Sequence, residues 1–354
     1  MSRKTVISVG YNQYGYAAVF EHFYSQQWSK EFDFIHICLD RGEPKIDPPS
    51  NVQIYYVQAA GNRIIRKWRL ISTIVQIAKK NACGILWLSY FRLSFLVRLL
   101  LPGYKIIMEY WSVCVNANRL NRLIKNFLMW FESLFFCHFV SLSKDIVKSL
   151  HLPPSTEILP LGSDIHSNTN KLFNTIYLLY VGTQAKQREI HKTLYGVAEF
   201  KRKYPDIKLT YDIIGRGDGV SLINQKIAEY HLQDIVIMHG YVSDEDIVTF
   251  YDRCNVGVCY TPMTEMYLPQ PFTKLYEYGL SGMASISVKL NDSVRRVIPE
   301  VGVLCDDNEQ SFADALEQIW QNRMQYNSER IRNYFMPYTW ENISKQFKNI
   351  IESV

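Results

Sequence analysis

Pro271-Phe-Thr273-Lys274-Leu-Tyr-Glu277 places a hydroxyl, a cation and a carboxylate within two turns of a helix that opens after the proline. Thr273 and Lys274 fall in its first turn, where free backbone N–H groups and a positive charge suit a diphosphate. Glu277 begins the second turn, and its carboxylate can accept both hydroxyls of a ribose. Buried alone it would be costly, so it needs donors around it. A second carboxylate, Glu109, is the only acid among twelve basic residues between Arg63 and Lys125. It can take up a proton or pair with a neighbouring arginine. Asp244-Glu-Asp246 has the D-x-D spacing of a metal–diphosphate site, but it follows Ser243 and opens a helical run where acids are favoured anyway. Capping is the better reading. The eight histidines form no H-x-x-x-H pair, so no metal is expected.

These residues need elements to hold them. Thr5–Val9 reads as a strand, followed by a turn through Gly10 and Gly15 and a helical run, Tyr16–Gln27. Gly15 could let the backbone approach a diphosphate, or serve only the turn. Short apolar runs then alternate with helical spacing. Arg63–Lys80 and Asn118–Phe136 read as helices, the latter with Arg119, Arg122, Lys125 and Asn126 opposite Leu120, Leu123, Ile124, Phe127 and Leu128. After a polar linker, His166–Asn174, the alternation restarts with the strand Ile176–Val181, a helix over Glu189–Tyr204 and the strand Lys208–Ile214, which ends in Gly215-Arg-Gly-Asp-Gly219. The fold class is α/β, with two Rossmann-like domains of mostly parallel sheet, residues 1–165 and 166–334. The active site is expected at the carboxyl ends of the strands, in a cleft between the domains.

A chain of 354 residues, 47% of them hydrophobic and without repeats, suits two cores and excludes disorder and fibrous classes. Seven scattered cysteines with no C-x-x-C argue against a disulfide framework and for a reducing cytoplasm. The N-terminus reads as a first strand rather than a signal peptide, and no uncharged run reaches the length of a spanning helix. Net charge is +5, distributed as +8 over residues 1–165 and −3 over the remainder. Trp68, Trp87, Tyr90, Phe91, Phe95, Tyr104, Tyr110 and Trp111 lie within the basic window. Basic and aromatic residues interleaved on amphipathic helices suit an anionic membrane surface, with a solvated basic face as the plain alternative. No nucleic-acid-binding pattern accompanies them. The expected location is the inner face of the cytoplasmic membrane, as a peripheral protein.

Four ordered segments of the second half resemble the donor domain of GT-B glycosyltransferases, especially glycosyltransferase family 4. They are Leu178-Leu-Tyr-Val-Gly182 with Arg188 six residues after the glycine, Ile213-Ile-Gly215-Arg-Gly-Asp, His239-Gly-Tyr241-Val242, and Pro271-Phe-Thr-Lys-Leu-Tyr-Glu277-Tyr-Gly-Leu-Ser-Gly282. The first is similar to the family's V-G-R-x-x-x-x-K turn, with Thr183 in place of arginine. The last is similar to its P-x-K-x-x-E-Y block, with Pro269 where many members carry a glutamate near the donor sugar.

The resemblance implies a glycosyltransferase moving a sugar from a nucleotide diphosphate donor to a carbohydrate acceptor. It implies retention of configuration and no cofactor, the donor being a substrate. Arg188 and Lys274 would stabilise the leaving diphosphate. Gly15, Gly182, Thr183, Gly215 and Thr273 would line the donor, Glu277 would hold the ribose, and the Tyr241-Val242 turn would meet the base. Glu109 would orient the acceptor or accept its proton. A C-terminal helix, 335–354, would pack back on the first domain. The basic aromatic window adds a lipid-linked acceptor, as in surface-polysaccharide or glycolipid assembly. A sugar-nucleotide epimerase or hydrolase, or a catalytically silent partner subunit, would keep the same fold.

Overall fold

A computed structural model of the chain describes residues 4–16, 25–81, 84–116 and 118–354. Two compact units emerge, Met1–Pro160 with Trp340–Val354, and Leu161–Thr339. The chain therefore changes unit after 160 and 339, against 165 and 334 from the sequence.

In the first unit the elements are β1 (Thr5–Val9), β2 (Asp33–Asp40), β3 (Val52–Gln58), α1 (Arg63–Lys80), β4 (Ile85–Ser89), α2 (Phe95–Leu100), β5 (Lys105–Tyr110), α3 (Arg119–Ser133), β6 (His138–Ser141), α4 (Lys144–Ser149) and β7 (Glu157–Ile158). The strands pair in parallel in the order β3-β2-β1-β4-β5-β6-β7. The second unit runs β8 (Ile176–Val181), α5 (Thr193–Lys203), β9 (Leu209–Ile214), α6 (Val220–Glu229), β10 (Val236–Gly240), α7 (Ile247–Arg253), β11 (Val256–Cys259), α8 (Thr273–Leu280), β12 (Ala284–Val288), α9 (Asn291–Arg296), β13 (Gly302–Cys305), α10 (Glu309–Gln321) and α11 (Ser328–Phe335). Its parallel sheet has the order β10-β9-β8-β11-β12-β13. The last helix, α12 (Trp340–Ser353), returns to the first unit, where Phe347 stacks on Trp28 and meets Trp87.

Helices cover both faces of each sheet, so the central strands read as unbroken apolar runs: β4 is Ile-Leu-Trp-Leu-Ser, with only the serine partly exposed, and every residue of β12 is buried. In both sheets the strand order reverses beside the first strand of the unit. The β1–β4 and β8–β11 junctions are thus the switch points where ligands are received, at the carboxyl ends of the strands.

Several expectations are corrected. Of the first helix, residues 17–24 lie outside the described residues, as does Cys83, and residues 25–28 are helical. The helix expected from Glu189 starts at Thr193. Two 3-10 turns precede it, separated by Glu189 in the left-handed region (φ +52°). The helix expected from Asp244 starts at Ile247, after a turn closed by Ser243 and Asp246.

Candidate active site

Glu277 lies on α8, and a glycine lets that helix approach the sheet. A Cβ on Gly257 of β11 would stand 2.1 Å from the Tyr278 ring. The Tyr278 hydroxyl accepts the Val181 N–H (3.0 Å), joining α8 to the end of β8. Glu277 is 7% exposed, and three groups converge on its Oε2. The Tyr251 hydroxyl donates at 2.5 Å, Lys274 Nζ donates at 2.5 Å, and His166 Nε2 stands at 3.5 Å. Burial pushes this carboxyl up, but Lys274 and His166 outweigh it and hold it down at about 2. Among the described residues no donor reaches Oε1. Phe272, at the N-cap of α8, supplies no side-chain acceptor, which leaves the amides of Thr273 and Lys274 uncapped, while the Leu275 N–H donates to the Phe272 carbonyl (3.2 Å).

His166 and Tyr251 carried no sequence signal, because nothing in local spacing brings them to Glu277. The supposed linker is what places His166. Lys171, 8% exposed, donates to Ser167 Oγ, Thr169 Oγ1 and the carbonyls of Tyr251 and Asp252 at the last turn of α7. Those carbonyls lack intrahelical partners. Burial holds the Lys171 ammonium down at about 8, against the pull of Asp252. Ser167 and Thr169 both donate to Asp252 Oδ1 (2.6 and 2.8 Å). With this knot closed, His166 stacks on the Tyr251 ring at 4.5 Å between centroids.

At the ends of β8 and β9 two loops meet backbone to backbone. A Cβ on Gly215 (φ +134°) would lie 1.9 Å from the Gly182 carbonyl oxygen, and one on Gly217 would lie 2.2 Å from that of Gln184. The Gln184 N–H donates to Arg216 O (2.9 Å), Gly219 N–H to Gln184 O (2.8 Å), and Lys186 N–H to Asp218 Oδ1 (2.9 Å). The glycine-rich turn is therefore a packing requirement of this junction. Gly215 N–H also donates to Gly240 O (2.7 Å), bringing the Tyr241-Val242 turn to the same end of the sheet. Tyr241 is 65% exposed, with the Arg216 guanidinium 5.0 Å over its ring, and Val242 is half-buried.

Thr183 is exposed, and its carbonyl accepts the Tyr180 hydroxyl (2.9 Å). Burial pushes that hydroxyl up to about 12 although Arg188 pulls it down. The Arg188 guanidinium stands 6.0 Å over the Tyr267 ring, in the loop that carries buried Pro269. Next to Pro269, Gln270 Nε2 is buried without a partner among the described residues. Asp246 N–H donates to Ser243 Oγ (3.1 Å), which itself donates to Asp246 Oδ2 (2.7 Å), so the second acid of the D-x-D closes a helix-opening turn. Among the described residues no three His, Cys, Asp or Glu side chains group as metal ligands.

In the first unit Glu109 is the penultimate residue of β5, beside the switch point, and is 2% exposed. Among the described residues no arginine pairs with it, contrary to one of the two sequence readings. Its Oε2 accepts Trp87 Nε1–H (3.0 Å) and Ser89 Oγ–H (2.8 Å). Burial pushes the carboxyl up to about 7 against the pull of Trp111, Trp87 and Ser89. Glu109 faces a cavity of about 210 Å³ that Tyr11, Asn12 and Tyr90 also line. Gly15 has φ +80°, and Ile46 Cδ1 would stand 2.3 Å from its Cβ. Gln13 pins that turn to the loop through Arg41, Glu43 and Pro44.

Two Rossmann-like units with all-parallel sheets make this a GT-B fold. Residues 164–335 match the family described as glycosyl transferases group 1. No match is found among curated protein sequences. Of solved structures, the sucrose-phosphate synthase of Thermosynechococcus elongatus is similar over 99% of both chains, with a TM-score of 0.78 and 15% identity. Anabaena HepE in complex with UDP is similar over 99% of this chain and 100% of its own, at 0.74 and 11%. WaaG, a glycosyltransferase involved in lipopolysaccharide biosynthesis, is similar over 99% and 100%, at 0.70 and 12%. At these identities the likeness speaks for the fold.

Proposed function

We propose that the protein transfers a sugar from a nucleoside diphosphate donor to a carbohydrate acceptor carried on a lipid at a membrane surface, with retention and without metal. The observation that carries it is Glu277, ionised and buried, its Oε1 open beside the uncapped first turn of α8. Oε1 accepts the ribose hydroxyls, while the α8 amides, Thr273 and Lys274 meet the diphosphate. Gly182, Thr183 and Gly215 bring backbone close to it, and the Tyr241-Val242 turn meets the base. Arg188 joins Lys274 in stabilising the leaving diphosphate, an electrostatic role with no covalent enzyme intermediate. HepE, similar in fold, is described bound to UDP, which makes UDP the first probe. In the first unit Glu109 takes the acceptor's proton, and Gly15 lets its turn approach the donor.

The lipid-linked acceptor rests on the exposed face of α3. Leu120, Leu123, Ile124, Phe127, Phe131 and Leu134 are 41–66% exposed, and Ile64, Ile65 and Trp68 of α1 are exposed as well, among basic residues. An apolar stripe of that extent turned to solvent fits an interface better than a solvated surface. Among the described residues no helix is long and apolar enough to cross a membrane.

A panel of nucleoside diphosphates and nucleotide sugars read by thermal shift, followed by transfer to lipid-linked acceptors, tests the reading. Activity is expected to survive EDTA, since two cations and a helix terminus neutralise the diphosphate. Loss on chelation that magnesium or manganese restores would instead implicate Asp244 and Asp246. Pro269 and Thr183 favour one rival, a silent partner subunit, which would bind nucleotide and transfer nothing.

A further inference from the structure

A cavity of about 800 Å³ opens between α1 and α3, wholly within the first unit. Arg63 and Lys67 of α1, Arg92 after β4 and Lys125 of α3 line it, over an apolar wall that includes Ile64, Leu93, Val115 and Leu128. No acid is among the lining residues. The cations crowd one another: burial pushes the Lys67 ammonium down, and Arg92 and Arg63 push it further, with Glu132 opposing. Glu132 is already engaged, since its carboxylate accepts the Leu93 N–H (3.0 Å) and the Ser94 hydroxyl (3.2 Å). That contact holds Leu93, a branched residue, in the left-handed region at φ +78°. Such backbone strain persists only where surrounding contacts enforce it, and it collects at binding sites. Tyr90, Ser112 and Met129 line this cavity and also the smaller one beside Glu109, so the two adjoin.

We infer that this cavity seats the phosphate or diphosphate of the acceptor lipid. The apolar chain leaves over exposed Ile64 and Val115, and the attached sugar enters the cavity beside Glu109. The inference rests on the lipid-linked acceptor proposed above. Four cations with no carboxylate among the lining residues select an anion, and the apolar wall selects an anion that carries a chain.

Calorimetric titration of the whole protein with decyl diphosphate below its micellar concentration tests this. Inorganic diphosphate, uncharged decyl glucoside and phosphatidylglycerol vesicles form the comparison arms. Decyl diphosphate is expected to bind well above inorganic diphosphate and decyl glucoside, and to keep its affinity when vesicles are present. Lys67→Gln and Arg92→Gln should each weaken it about tenfold, and Leu128→Asn should weaken it while leaving inorganic diphosphate unchanged. Unchanged melting and an unchanged response to UDP keep misfolding apart from loss of the site. Equal binding of decyl glucoside, displacement by vesicles, or variants that bind like the wild type would each overturn the assignment. If the alkyl diphosphate binds but no nucleotide sugar is ever consumed, the transferase reading fails and the cavity assignment stands. Transfer to lipid-linked acceptors that survives Lys67→Gln with Arg92→Gln sinks the cavity alone.

Discussion

At the scale of single residues, two buried carboxylates are pushed in opposite directions by their surroundings. Glu277 is held at about 2 by Lys274 and His166, so it is ionised whenever nucleotide would bind. Its folded value lies below the ordinary 4.5, so the stability it contributes is present above pH 4.5 and lost as pH falls toward 2. Glu277→Gln should flatten the fall of Tm across that window, read by melting at stepped pH. Glu277→Ala should weaken UDP binding by about 1–3 kcal/mol, the scale of lost charge-assisted hydrogen bonds; full affinity in a folded variant would move the ribose site elsewhere. Glu109 behaves oppositely. Its value is raised from 4.5 to about 7, so its contribution is complete below pH 4.5 and disappears as pH rises through 7. Glu109→Gln should therefore match wild-type melting at pH 4 and exceed it at pH 8, by up to on the order of 3 kcal/mol. Sugar transfer should rise through pH 7 in the wild type and drop steeply in the variant. A variant with wild-type turnover would exclude Glu109 as the base.

At the scale of elements, junctions matter more than the elements themselves. The β8 and β9 loops touch through backbone atoms, and Gly217 leaves no room for a methyl group, with Gln184 O 2.2 Å from its Cβ position. Gly217→Ala should cost about 1–3 kcal/mol of stability by overpacking and reduce UDP binding with it, because Gly182 and Gly215 sit in the same contact. Melting together with a UDP titration checks both halves of that expectation. Helix α3 presents the converse. Its start is legible, since Asn118 caps it by accepting the Asn121 N–H (3.0 Å). Its orientation is not, because an amphipathic pattern says only that the two faces differ. The face turned inward carries Met129, Glu132 and Ser133, and the leucine–phenylalanine stripe faces out.

For the whole molecule, the basic first half should direct membrane attachment without a spanning helix. Attraction to anionic lipid is worth about 1 kcal/mol per basic residue near the surface and is screened by salt, whereas apolar side chains at the interface resist salt. The protein should sediment with anionic vesicles, detach partly at high salt and ignore neutral vesicles. Reversing Arg119, Arg122 and Lys125 to Glu should reduce this while leaving the UDP response intact. No preference for anionic vesicles would remove the main support for a lipid-linked acceptor. Much of the architecture was already written in local pattern: strand and helix alternation, the restart of the second unit at Ile176, and the position of Lys274 and Glu277 on one helix. Those features depend on residues a few positions apart, where backbone geometry alone relates spacing to shape. Four others depend on packing: the donors on Glu277 Oε2, the burial that raises Glu109, the strain at Leu93 and the outward stripe of α3. Each is made by groups distant in the chain that meet only when sheets and helices pack. Neither a carboxylate's proton affinity nor the exposure of a helix face exists before its neighbours arrive.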